Sequence, residues 1–417
     1  MLGSSYPSDP MEVKNRMRKH MKRAVRLALG TATLSGVGLL GTLGAGAANA
    51  APSASHSPSN FSPVVGHVYL DDNTAGTNTI SGFDRHVDGS LTPLAGSPFT
   101  AGGAGTGGGL ASQGAIEVSS DGRFLLAVDA GSNQVSVLQI KPDGSLKLGP
   151  TGVVSSDGPT PVSIAVHDNL VYVANAGAVG PNYTGFTLNP GGHLEPLANS
   201  TVSLANGSQP ADVLFNGPGT SLVGTRAGTS EIDSFVVGGD GLLTAAPGSP
   251  STAQGLGPFG SEFRPTNPQQ LFVSNAHNVG ADTGTISAFS VASNGSLTSI
   301  GASPYADNQT APCWIEITHD GQFLFTVNTG SGEISRYAIT PDGSLTLLGS
   351  TPVSSTGGVG AVDARLSNDG RTLYVDESRI GAVGAFAVDG GNLTELSNSP
   401  ISLPAGATPA GIVTTGF

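Results

Sequence analysis

The chain has one cysteine, Cys313, in 417 residues. A lone thiol excludes an internal disulfide, so packing must hold the fold together. It sits after Pro312 on an expected inner strand with no His or Asn nearby in sequence, and it reads as buried and inert rather than as a nucleophile. Charge is scarce as well, at 11% of residues, and cations are scarcer than anions. Seven of the 17 Lys and Arg fall in the first 50 residues against two of the 30 Asp and Glu, which leaves residues 51–417 at about −18. Such a surface repels polyanions, so nucleic acid and anionic membrane surfaces are excluded as partners. Beyond residue 50 no apolar run is long enough to cross a bilayer. The low charge does not signal disorder, because β-branched runs recur and the 62 glycines punctuate them.

What is present is a repeat. Residues 312–352 divide into four short strand signals, at 313–317, 323–328, 333–339 and 345–348. The third alternates polar and apolar residues with the period of a half-buried strand. The turn before the last strand, Asp342-Gly343-Ser344-Leu345, recurs seven times. Its leucines stand at Leu91, Leu146, Leu194, Leu243, Leu297, Leu345 and Leu393, a period of about 50 residues. Glycine there accepts positive φ, and Asp or Asn caps the turn. Seven repeats of four strands predict an all-β, seven-bladed β-propeller of four-stranded blades. The first repeat has only three strand signals, at 65–71, 78–84 and 91–94, whereas 408–414 matches an opening strand with nothing after it. The C-terminal strand is therefore expected to complete the first blade and close the ring.

The N-terminal 50 residues stand outside that pattern. Lys14, Arg16, Arg18, Lys19, Lys22, Arg23 and Arg26 precede a Gly- and Ala-rich apolar stretch over 27–47 and the small residues Ala48-Asn49-Ala50. This reads as a secretory signal peptide over 1–50, predicting a secreted, extracellular protein that begins at Ala51. A membrane helix is the competing reading, but glycine and threonine dilute the stretch and the cleavage pattern favours export. No adjacent arginine pair is present, which points to the general secretion route, and Met11, Met17 and Met21 are alternative initiators. Residues 51–63 form a Ser/Pro-rich tail, and 64–417 the propeller.

The repeat, with Asp320-Gly321-Gln322-Phe323-Leu324-Phe325-Thr326-Val327-Asn328 and Asp369-Gly370-Arg371-Thr372-Leu373-Tyr374-Val375-Asp376 as its best copies, resembles the lactonase family of seven-bladed propellers. That family includes 6-phosphogluconolactonases and carboxymuconate cyclases. The resemblance implies a site at the top of the axial channel, where an inner strand reads Gly-Pro-Arg-His and the next ends in Asn-Glu. No strand here reads Pro-Arg-His. The Arg positions hold Gly114, Val162, Ala211, Phe259, Cys313, Val362 and Ala410, and the His positions Ala115, Ser163, Asp212, Gly260, Trp314, Asp363 and Gly411. Glu377 alone matches the family's glutamate. Without a cation to hold a phosphate or an imidazole to move a proton, 6-phosphogluconolactone hydrolysis is not expected.

The inner strands offer carboxylates instead. Glu117, Asp212, Glu262, Glu316 and Asp363 fall two or four residues after the Pro position or its equivalent, on one side of their strands, with Arg365 as the one cation. Together with Trp314, which could stack on a sugar or simply pack, they would make an acidic funnel. Such a funnel could draw a divalent cation or a small neutral or cationic ligand such as a lactone or carbohydrate; no other cofactor is expected. A hydrated channel wall needs the same polar residues with no ligand at all. His67, His86, His167, His193, His277 and His319 are scattered without metal-ligand spacing. Two functions stay open: a ligand-binding or surface-interaction propeller, expected to be monomeric, or a lactonase-type hydrolase of a neutral lactone. The hydrolase would use Asp363, Glu377 or His277 at the rim as proton carriers. The glycine run at 101–109 and the connector at 247–260 precede no helix, so they read as flexible loops rather than phosphate cradles.

Overall fold

The computed structural model describes residues 62–353 and 360–416; the expected signal peptide and nearly all of the tail lie outside the described residues. Within them the strands form seven antiparallel sheets, each with its strands in sequence order from the axis outward except where the ring closes. Blade 6 shows the unit: Pro312–Ile317 innermost, then Phe323–Asn328, Glu333–Ile339 and Leu345–Pro352 outermost. The other innermost strands are Ile116–Val118 in blade 2, Pro161–His167 in blade 3, Pro210–Phe215 in blade 4, Pro258–Arg264 in blade 5 and Ala364–Leu366 in blade 7. Blade 1 takes Val64–Asp71, Thr79–His86 and Leu91–Pro93 from one end of the chain and Gly411–Thr414 from the other. That closing strand is antiparallel to Val64–Asp71, with Asp71 opposite Gly411 and Val68 opposite Thr414. It is shorter than the expected 408–414, although Thr408 and Ala410 still donate their N–H groups to the carbonyls of Asp72 and Asp71 at 2.9 Å.

Both faces of each sheet are buried against neighbouring sheets. Tyr69 and Ile80 of blade 1 pack with Leu125 and Leu138 of blade 2, and Tyr172 of blade 3 packs with Phe215 and Phe235 of blade 4. Each such side chain contributes about 1.5–3 kcal/mol by leaving water. The repeated turn has a second task between blades. Tyr69, Tyr172 and Tyr374, all fully buried, donate their hydroxyls to the carbonyls of Gly144, Gly241 and Gly89, the turn glycines of the next blades. At φ near 80° those positions favour glycine.

The glycine run at 101–109 is not the flexible connector its composition predicts. Asn78 and Gly103 are joined by a 2.8 Å backbone bond, Gly105 donates to Thr74, and the Asn73 amide oxygen accepts from the Thr106 N–H at 2.7 Å. A Cβ on Gly105 would collide with the backbone of Asn73. Glycine serves close approach here rather than freedom.

Candidate functional site

The inner strands form the wall of the axial channel, and their register sorts the candidate residues into two tiers. In the upper tier, nearer the start of each strand, stand Ser163, Asp212, Gly260, Trp314 and Asp363. Two residues further on, in the lower tier, stand Glu117, Glu262, Glu316 and Arg365. Bulges between Pro210 and Asp212, Pro258 and Ser261, and Pro312 and Trp314 stand at the same place in their strands, so counting from the prolines keeps the blades in register. The two depths are the two offsets, two and four residues after the Pro position, on which the sequence places these carboxylates.

The upper tier is a hoop of hydrogen bonds. An innermost strand is a sheet edge, and its outward N–H groups need acceptors. Ser163 Oγ accepts from Val213 N at 3.1 Å, Asp212 Oδ2 accepts from Ser261 N at 2.9 Å and Ser261 Oγ at 2.6 Å, and Asp363 Oδ2 accepts from Ile412 N at 3.4 Å. In each case the side chain of one blade caps the next. Gly260 has no side chain to continue the hoop, and Gln113 replaces it. The Gln113 Oε1 accepts from Ile315 N at 3.0 Å, and its Nε2 donates to the carbonyl of Ser261 at 3.1 Å. A Cβ on Gly260 would collide with that amide oxygen.

Gln113 belongs to blade 2's entry segment, so it reaches its partners from across the axis. Its N–H donates to Ala211 O at 2.9 Å, and the neighbouring Ser112 O accepts from Trp314 Nε1 at 2.7 Å. Trp314 in turn meets Phe259 edge-on, with centroids 5.2 Å apart. Trp314 is 3% exposed, Asp212 2% and Asp363 1%. Ser112, Gln113, Phe259 and Trp314 thus fill the upper end of the channel, where the sequence placed an open funnel. No residue pattern announced the plug; the only trace was the longer repeat between Leu91 and Leu146.

The lower tier is half-buried at Glu117, Glu262 and Arg365 and buried at Glu316. Arg365 Nη2 pairs with Glu117 Oε1 at 2.7 Å, and both side chains are 24% exposed. Glu316 Oε1 accepts from Leu366 N at 3.0 Å. Enclosure by the wall pushes all three glutamates up, Glu262 furthest, because the charge of Glu316 adds to burial and Arg365 only partly offsets it. Burial works against the Arg365 charge, yet Glu117, Glu316, Asp363 and Glu262 together raise its pKa. Burial also lifts Asp212 and Asp363 to about 7. The lower tier thus sets three glutamates about one guanidinium. Among the described residues no group of three or more His, Cys, Asp or Glu is arranged to hold a metal ion.

Of the three candidate proton carriers, His277 stands apart from the other two. His277 is exposed on a loop of blade 5, where its N–H donates to Leu256 O, whereas Asp363 and Glu377 are buried in blade 7. Cys313 is buried too, which pushes its thiol up to about 12, as an inert side chain requires.

The family profile described as lactonase, 7-bladed beta-propeller, matches residues 61–203 and 262–358. No curated protein matches the chain in sequence. Among solved structures, a candidate 6-phosphogluconolactonase from Bacteroides fragilis superposes with a TM-score of 0.67 at 20% identity, covering 88% of this chain and 100% of its own. The periplasmic gluconolactonase of Pseudomonas aeruginosa does so with a TM-score of 0.67 at 17% identity, covering 84% and 99%. At these identities the likeness is one of fold. The profile match spans more than half of the sequence, and the chain belongs to the lactonase family of seven-bladed β-propellers.

Proposed function

We propose that this lactonase-family propeller is a secreted, monomeric binding protein that takes a small neutral or cationic ligand, a lactone or carbohydrate, in the lower half of its axial channel. The observation that carries this reading is the plug. Gln113 and Trp314 occupy the mouth where the family resemblance puts an Arg-His pair, and the upper carboxylates cap backbone N–H groups. A phosphorylated substrate would also meet three glutamates around one arginine. The basic N-terminal segment and its cleavage pattern support export.

The test compares ligand retention with turnover. Purified mature protein is screened by mass spectrometry against neutral lactones and oligosaccharides, alongside the Glu117→Gln and Glu262→Gln variants. Retention that the variants weaken, without hydrolysis above the spontaneous rate, supports the binding reading. Rapid hydrolysis abolished by Asp363→Asn or Glu377→Gln would instead support a lactonase acting on a neutral lactone. One observation favours that second reading: Asp363, held at about 7, could serve as a general acid near neutral pH.

A further inference from the structure

Where the two ends of the propeller meet, five carboxylates lie in the seam between blade 7 and blade 1. Asp71 and Asp72 stand at the end of the first strand of the chain, Asp376 and Glu377 at the end of Thr372–Glu377, and Asp363 at the entry to Ala364–Leu366. All five are between 0% and 2% exposed. Strand register makes Asp71-Asp72 of blade 1 and Asp376-Glu377 of blade 7 equivalent pairs. The same two positions in blades 3, 5 and 6 hold Ala174-Asn175, Ser274-Asn275 and Val327-Asn328. The doubly acidic pair is thus found in the two blades that the closing strand joins.

Those residues also hold the closing strand. Ala410 N donates to Asp71 O and Thr408 N to Asp72 O, both at 2.9 Å, while Ile412 N donates to the Asp363 carboxylate. Asp376 donates its own N–H to Asp363 O at 2.9 Å, which ties the group into one unit. Neither oxygen of the Asp376 carboxyl has a hydrogen-bond partner, nor do Asp71 Oδ2 and Asp72 Oδ1. The charged groups facing Asp376 are Asp363, Asp72, Glu377 and Asp71, every one acidic. Asp71 faces Asp129 as well. A cation, Arg365, reaches Asp363, which Glu117 also faces. Several anions cannot share a dry seam without a compensating charge, and protonation is the cheapest relief.

We infer that the ring closure is a proton-dependent latch, in which the closing strand Gly411–Thr414 is held tightest while the seam carboxyls are protonated and loosens as they ionise. Burial raises Asp376 and Asp71 well above the ordinary carboxylate range, Asp72 to about 6 and Asp363 to about 7. A carboxyl whose folded pKa exceeds its unfolded value, about 3.9 for Asp, contributes stability that is fully present below the unfolded value. That stability is lost as pH rises through 6 and 7. The latch is therefore closed in acid and weakest above neutrality, the reverse of the usual acid lability of salt-bridged proteins.

Hydrogen exchange on the whole protein tests this. Protection of residues 411–414, corrected for intrinsic exchange, is compared at pH 5 and pH 8 with that of Phe323–Asn328 in blade 6. The closing strand is expected to lose on the order of tenfold more protection than the reference strand, one unit of differential protonation. Asp376→Asn, which carries no charge at any pH, should remove most of that loss, and Asp72→Asn provides the same reading should the first variant not fold. Equal losses in both strands, or an unchanged loss in the variants, would overturn the latch. Restored protection at pH 8 on adding millimolar calcium to the wild type would also overturn it, by showing that a cation rather than protons occupies the seam.

Discussion

The two tiers of the axial channel carry the same functional group for different ends. Asp212 in the upper tier is buried and accepts from Ser261 N, Ser261 Oγ and Ser163 Oγ, so its carboxylate is part of the wall. Glu117, two residues further along the equivalent strand, meets one guanidinium and water. The difference follows burial rather than depth alone: an inner strand must cap its edge N–H groups wherever the channel is dry, as buried Glu316 does for Leu366 N even in the lower tier, and need not where water reaches them. A carboxylate on a propeller's inner strand is thus evidence of a ligand site only once its hydrogen-bond partners are known.

The comparison can be broken most severely by removing a piece of the upper tier altogether. Deleting 407–417 takes away the closing strand, leaves the Asp363 side chain without Ile412 and exposes the edge of Val64–Asp71. The thermal transition is expected to lose its cooperativity, and a truncated chain melting within a couple of degrees of the whole one would refute the closed ring.

Next in size is Asp212→Ala. It strands the buried Ser261 N–H and hydroxyl, at a cost of about 2–4 kcal/mol in urea denaturation. Gly260→Ala should follow, at about 1–3 kcal/mol, since the new methyl displaces the Gln113 amide. Trp314, the one tryptophan, makes that displacement visible, because its emission should shift to the red as the plug lifts. An unshifted spectrum with unchanged stability would show that the plug does not depend on Gly260.

The smallest effects belong to the lower tier. Glu117→Gln should change stability by less than about 1 kcal/mol, because the Arg365 pair is partly exposed, while altering ligand retention. Glu262→Gln should gain stability relative to the wild type between pH 5 and pH 8, because burial and the charge of Glu316 raise Glu262 and only the wild type bears the rising cost of ionising it. Equal stability at both pH values would mean that Glu262 titrates as an ordinary surface carboxyl.

The seven Asp-Gly, Asn-Gly or Gly-Gly turns and the orphan strand at 408–414 made the blade count and the closure readable, because they depend on local chemistry: a glycine at positive φ, an alternation of period two, an edge needing a partner. The candidate carboxylates were readable as residues and, by their offsets of two or four from the Pro position, as two depths; which of them cap a neighbouring strand was not, since the capped N–H groups lie in the next blade. The acidic seam was invisible for a related reason. Asp71 and Asp376 are far apart in the chain and come face to face only when the last strand closes the ring.

The plug shows the division most clearly. Composition and spacing along the chain determined a ring of seven sheets with carboxylates on its inner strands, because each of those features is settled within a few residues. Whether the channel is open was decided by tertiary structure alone. Gln113 meets Ser261 and Ile315 at separations of 148 and 202 residues, where a missing side chain at Gly260 leaves room for its amide. Complementarity of that kind exists only between surfaces already brought together by the fold.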